Sequence, residues 1–376
     1  MKTRSEQGGW TENAALVYYQ AFLLYEKPED TLKQMLGEFR AGEIGSNEAI
    51  RAYLEKNRRV IEYAVKGASA PHCDWGYDYS EGIDLALPNL VPVRHLAWLL
   101  STEVRLLAEQ GDYRTALDRC VTMHKMTLHA VDKSMMTYLM GIGLGVLANR
   151  TIQAALATMP GDVDALQRLK VQLGQVQTAF PPFDGAVTQE GQIWAPVMRK
   201  KKIQAALRVL GQHDEKFVVS PYKQRIEAGD EAFFERNRIH LIQSIAAFVD
   251  VLKSGRPYPQ IYAQLGELER KQQSESVDNP DATFTGILLP AVHRLYLLTT
   301  GFQTHFNAVL IAIDLFTIKA QTGSLPDTLP AGMPLDLYSG EPFEYEKTPG
   351  HFILRCRAKE DPVDAEVKQY EFKLKP

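Results

Sequence analysis

GSLPDTLPAGMPLDLYSGEPFEYEKTPGHFILRCR, residues 323–357, decides the fold class. It follows a long helical pattern and cannot continue it. Prolines at 326, 330, 334 and 342 remove backbone donors and clash with the turn before them, so no helix runs through this segment. Pro342 opens an alternating run, Phe343-Glu344-Tyr345-Glu346. Pro349-Gly350 supplies a turn, and His351 to Cys356 reads as a returning strand. The contrast defines an architecture and leaves the reaction open. The expected fold is mostly α: a multi-helix bundle or irregular helical-hairpin array over 1–322, with a small C-terminal antiparallel β unit over 323–376. So short a β tail is marginal alone, so it is expected to pack on the helix before it.

Working outward, helical spacing of apolar residues dominates 12–322. It predicts helices over 13–25, 46–66, 91–109, 112–130, 133–158, 162–179, 186–210, 221–253, 258–275 and 287–321. Ser46 is the expected N-cap of the second and Gly67 its stop. Short connectors at Gly111 and Pro160-Gly161 imply antiparallel neighbours. The Asp278 to Thr283 turn marks the last break before the long final helix. Ser134 to Asn149 is the longest apolar run, and it falls short of the ~20 residues a spanning helix needs. With Gly141 and Gly145 four apart it reads as a buried central helix, and no transmembrane segment is expected.

Composition limits the function classes. The 376 residues are 45% hydrophobic and 23% charged, with net charge -4, an ordinary globular balance. An acidic chain is a poor general nucleic-acid binder, and no nucleic-acid partner is expected. Its one basic run, Arg199-Lys200-Lys201-Lys202, reads as a solvated helix face. Cys73, Cys120 and Cys356 form no CxxC pair and no even-numbered disulfide framework. Met1 to Asn13 lacks the apolar stretch of a signal peptide, which reads as cytoplasmic; an N-terminal anchor, if removed, would place the protein at the envelope or in the periplasm.

The loop His72-Cys73-Asp74-Trp75-Gly76-Tyr77-Asp78-Tyr79-Ser80 concentrates the chemistry. A thiol, an imidazole, two carboxylates and three aromatic rings fall within nine residues. As a site, His72, Cys73, Asp74, Trp75, Tyr77, Asp78 and Tyr79 would bind a sugar or peptide, because aromatic faces beside carboxylates suit both. Asp74 and Asp78 are then the candidate catalytic pair for glycoside hydrolysis, provided they lie roughly 5–10 Å apart. As a plug, the rings pin a long connection to the body while the two aspartates cap turns. No nucleophile elbow, Walker A, Rossmann glycine fingerprint or zinc-protease motif occurs. Cys120 and His124 share one helix face, but His129 points to the opposite side, so Cys120, Met123, His124, Met126 and His129 read as core, not metal site. His293 and His305, twelve apart on one helix, cannot share an ion, and no metal or cofactor is expected.

Three resemblances add to this. Gly323, Leu325, Pro326, Leu329, Pro334, Asp336, Ser339, Gly340, Pro342, Phe343 and Tyr345 follow a helix in the order seen in the C-terminal module of type II secretion major pseudopilins, which this tail resembles. That resemblance implies a small sheet packed on a long helix. The cleavage-and-methylation motif of pilin subunits is missing. The calcium loop of those pseudopilins is also missing, with Arg357-Ala358-Lys359-Glu360-Asp361 in its place, so no calcium site is carried over. Asn13-Ala14-Ala15 with Tyr18 to Ala21, the Cys73 to Gly76 run, Asn279 to Thr283 and the Asp336 to Tyr345 module make the whole chain resemble helical proteins of planctomycete-type bacteria. No function comes with that resemblance. Trp98, Ala108, Gly111-Asp112-Tyr113 and Ala116-Leu117 resemble one tetratricopeptide hairpin, whereas an array needs about three repeats. The expectation is a non-enzymatic assembly or ligand-binding protein at the bacterial envelope, with other envelope proteins or a small ligand as partners. A saccharide or peptide hydrolase using the 72–80 loop is the alternative, and a soluble peptide-binding helical array is the third reading.

Overall fold

A computed structural model describes residues 12–198, 226, 228–289, 292–359 and 367–374. The basic run at 199–202, and the parts of the predicted helices over 199–210 and 221–225, lie outside the described residues. Thirteen α-helices and one three-stranded sheet are described, so the chain is mostly α with a small C-terminal antiparallel unit. The helices are α1 (Ala14–Leu24), α2 (Asp30–Ala41), α3 (Glu48–Lys56), α4 (Arg58–Ala68), α5 (Leu90–Gln110), α6 (Tyr113–Ala130) and α7 (Met135–Leu156). Then come α8 (Val163–Ala179), α9 (Phe183–Val197), α10 (Glu231–Leu252), α11 (Tyr258–Asp278), α12 (Thr283–Leu288) and α13 (Val292–Thr322).

Three departures from the sequence reading stand out, one being that the helix predicted over 287–321 is preceded by the separate α12, which ends at extended Leu289 before α13 begins. The helix predicted over 46–66 is divided at Asn57, which is fully buried. Its amide competes with the helical ladder: Nδ2 donates to Tyr53 O at 3.1 Å and Glu26 O at 3.3 Å, while Oδ1 accepts from Glu26 N at 3.1 Å. Asn47, one residue after the expected cap, accepts from Ile50 N at 3.0 Å and starts α3. The third departure is α2, absent from the sequence reading, which ends on the left-handed Gly42 (φ 80°).

Helices α5, α6 and α7 form the middle of the body and offer one face to each of two apolar cores. On one side Val93, Leu96, Leu100, Met123, Met126, Leu144 and Ala148 pack with α1–α4. On the other side Val104, Leu117, Cys120, Tyr138, Ile142 and Ile152 pack with α8–α13 and the tail. The α5–α6 hairpin turns on left-handed Gly111, with Asp112 Oδ1 accepting from Thr115 N at 3.2 Å. Helices α7 and α13 are long and apolar enough to cross a membrane, yet 56% and 72% of their most apolar windows are buried inside the protein. A Cβ on Gly145 would overlap the Phe302 ring, and one on Gly141 would overlap Val131, so both glycines are needed for close approach.

The tail shares the second core. Strands β1 (Glu344–Lys347), β2 (His351–Arg355) and β3 (Gln369–Lys373) lie antiparallel in the order β1-β2-β3. The third strand extends the hairpin read from sequence. Phe352 pairs with Phe372 across β2 and β3, their rings stacked at 5.1 Å, and Phe352 also meets Phe316 of α13 at 5.7 Å. Phe343 is buried just ahead of β1, and half-buried Tyr345 donates to Pro326 O at 3.2 Å. The D-x-x-S-G motif has a physical cause. Asp336, fully buried, accepts from Tyr338 N at 3.0 Å, Ser339 Oγ at 2.7 Å and Arg357 N at 2.8 Å, so one carboxylate organises the turn that launches the sheet.

Candidate functional site

The 72–80 loop is attached to the N-terminus of α1 by a single side chain. Asn13 caps α1 through Oδ1, accepting from Ala15 N at 3.1 Å, and the same oxygen accepts from Asp74 N at 2.9 Å. Its Nδ2 donates to Asp74 O at 2.9 Å, and Ala14 N donates to His72 O at 2.9 Å. Asp74 Oδ1 accepts from Gly76 N at 2.9 Å, an Asx turn completed by the left-handed Gly76 (φ 71°). Asp78 repeats the device on Ser80 N at 2.9 Å and caps a 3-10 turn over Tyr79–Asp84. Trp75 is only 7% exposed. Its indole lies against Tyr18 (5.8 Å) and Phe22 (6.2 Å) of α1, with Tyr19 edge-on at 5.7 Å, and Nε1 donates to His129 O at 2.7 Å.

This geometry positions the loop more than it arms it. His72, Asp74 and Asp78 are exposed, and both aspartates accept backbone N–H bonds within their own turns. Neither sits in the desolvated setting that a general acid needs near neutral pH. Burial, with Asp132 and Asp74 adding to it, pushes the Cys73 thiol up, away from the thiolate that a nucleophile requires. Tyr77 donates to the buried Asn89. Tyr79 stands 5.6 Å below Lys133 Nζ and, with Ser80, borders a cleft of about 550 Å³ that runs to Val197. Sequence reading placed His129 in the core; it also holds the loop, taking Trp75 on its carbonyl and Tyr18 Oη on Nδ1 at 3.0 Å. Burial pushes its imidazole down to about 4, against the opposing pull of a backbone hydrogen bond with Ala70. Cys120 and His124 are fully buried, and His124 packs edge-on against Phe306 at 4.8 Å.

A second constellation lies between α2 and α5 and escaped the sequence reading. Tyr25, Lys33, Arg40, Tyr53, Trp98 and Thr102 help to line a cleft of about 460 Å³. The Tyr25 and Tyr53 hydroxyls meet at 3.0 Å, and His95 stacks on Tyr25 at 5.4 Å. Trp98 faces this cleft and not the turn of the α5–α6 hairpin. The guanidinium of Arg94 lies 5.2 Å from its ring centroid and that of Arg40 lies 6.0 Å away. Arg40 donates to Thr102 Oγ1 at 3.2 Å, and burial pulls its guanidinium below the ordinary value. On the other side, Arg40 lines a smaller cleft of about 210 Å³ with Ser101, Arg105, Arg150 and Thr151, set over Val104, Ala108, Leu147, Ala154 and Ala155. Comparison with known sequence families, curated proteins and solved structures found no match.

Proposed function

We propose that this chain is a non-enzymatic ligand-binding protein of the bacterial envelope, and that its ligand enters the cleft between α2 and α5. One observation carries the reading: Tyr25, Tyr53 and Trp98 form aromatic walls around a cleft of about 460 Å³, into which a guanidinium also projects. A cleft of small-molecule size, mostly apolar with a few placed polar groups, is the general form of a binding site. The rigid body around it suits that role, because α5 is fixed on both sides by packed cores. The envelope location rests on the likeness of the tail to a pseudopilin module. Hydrolysis through the 72–80 loop has less support, since its carboxylates are engaged in turns and its thiol is held protonated.

The test is tryptophan emission during titration with small cyclic compounds, using the Trp98→Phe variant as control. A binding protein of this kind gives a saturable change that the variant lacks. If no compound changes Trp98 emission, the binding reading falls. Fractionation of the native cells checks the location, with recovery in the membrane or periplasmic fraction expected.

A further inference from the structure

The smaller cleft carries more arginine than its surroundings can neutralise. Arg40, Arg105 and Arg150 line it, and among the described residues no carboxylate does. On neighbouring α6, by contrast, Arg119 meets Glu103 of α5 at 2.7 Å. Arg40 and Arg150 make no ion pair among the described residues. Arg105 has one ion pair among the described residues, with Glu109, whose Oε1 lies 3.6 Å from its Nε while Oε2 accepts from Ser46 N at 3.1 Å. The Nε of Arg105 is buried and makes no hydrogen bond. Three guanidinium groups around one opening repel each other, and a half-buried, unpaired donor is costly. Such a set is stable when an anion completes it, and guanidinium forks match paired oxygens of carboxylate or phosphate.

The two clefts are related by helix geometry. Trp98, Ser101, Thr102, Arg105 and Ala108 recur at helical spacing and share one face of α5. Leu147, Arg150, Thr151 and Ala154 do the same on α7. Trp98 and Arg105 are two turns apart, about 10 Å along the axis. Arg40 borders both openings. The aromatic end is itself cationic, with Lys33 among its lining and Arg94 over Trp98, and Asp30 is the one acid on its rim among the described residues. The Ser101 and Thr151 hydroxyls, 2.9 Å apart, add polar contacts at the arginine end.

We propose that the paired clefts bind a small organic anion, its planar ring held among Tyr25, Tyr53 and Trp98 and its phosphate or carboxylate held by Arg40, Arg105 and Arg150. The inference rests on the binding role proposed above and adds the chemical class of the ligand. A spacer between ring and oxyanion bridges the ~10 Å between the two ends.

Calorimetry and Trp98 emission on the full chain test it with four probes at about 1 mM: AMP, adenosine, 6-phenylhexanoate and 6-phenylhexanol. At least one anion binds, and its neutral counterpart binds about tenfold more weakly or not at all. Which anion binds identifies the oxyanion as phosphate or carboxylate. Arg105→Gln and Arg150→Gln each weaken that anion about tenfold and leave the neutral counterpart unchanged. Arg150 is exposed, so its variant folds and decides the matter even if Arg105→Gln does not fold. Equal binding of anion and neutral counterpart, or unchanged affinity in Arg150→Gln, overturns the arginine assignment and leaves the aromatic cleft as a binding site. If none of the probes binds, both the assignment and the cleft's binding role are overturned.

Discussion

The imidazole of His305 lies flat against the ring of Tyr370, with centroids 4.7 Å apart and planes 12° apart. Its Nε2 also meets Gln153 Oε1 at 3.2 Å, so α7, α13 and β3 join at one neutral histidine. Burial, reinforced by Arg150 and Lys368, holds its pKa at about 4. Neighbouring His124 is pushed to about 3 by burial and by His305.

Acid is therefore expected to destabilise the protein through its buried histidines. His305, His124 and His129 all titrate below the ordinary 6.5 when folded, so the unfolded chain takes up protons first. Their contribution is complete above about pH 6.5 and is lost as pH falls toward 4. Each histidine then removes roughly 1.4 kcal/mol for every pH unit crossed in that window. Urea midpoints measured between pH 7.5 and 4.5 check this, and a flat profile would contradict it.

Asn13→Ala should cost about 2 kcal/mol, combining a lost helix cap with two lost bonds to the Asp74 backbone. Asp74→Asn keeps the oxygen that accepts from Gly76, so its effect should stay within about 0.5 kcal/mol. Chemical denaturation of the two variants compares them directly. The reverse order would mean that the Asp74 charge, not the Asn13 bridge, holds the loop.

Trp75→Phe preserves a ring against α1 and removes the donor to His129 O. The loss should be about 1–2 kcal/mol, the value of a buried hydrogen bond left half-made. Trp75→Ala should cost about 3–5 kcal/mol. Thermal melts of both variants separate the two contributions.

Asp336→Asn should be harmful out of proportion to its size. An amide offers one oxygen where the carboxylate uses two, and its NH2 would face either Tyr338 N or both Ser339 Oγ and Arg357 N. We expect about 2–3 kcal/mol. Phe343→Ala, which empties a buried site beside the same turn, should cost about 3–5 kcal/mol. An unchanged melting curve for Phe343→Ala would mean that the tail is not docked.

The tail was legible in the sequence because proline and strict alternation act locally and leave few options. Helices α5 to α8 were legible for a similar reason, since their caps and apolar stripes lie within a few residues of each other. The break at Asn57 was not legible, because it depends on Glu26, brought alongside only by folding. Helix α2 buries little beyond Leu36 and Phe39, so its stripe is thin. Strand β3 has only five residues and pairs across a gap after β2. In the 72–80 loop the residue types were visible but their partners were not: Asn13 and His129 lie far away in sequence and decide what Asp74 and Trp75 do. The α2–α5 cleft has no local signature, as its residues come from Tyr25 to Thr102 and are joined only in three dimensions.

Strand β3 follows every other described element in the chain, yet its Phe372 covers Phe352, which in turn sits on Phe316 of the core helix α13. A ribosome adding roughly 5–20 residues per second therefore leaves that face of α13 and its sheet exposed until β3 has emerged. Nascent chains waiting at that point present a sticky, half-covered surface. Chaperone dependence during synthesis should then concentrate in the interval before β3 emerges, after helices α1 to α4 have closed.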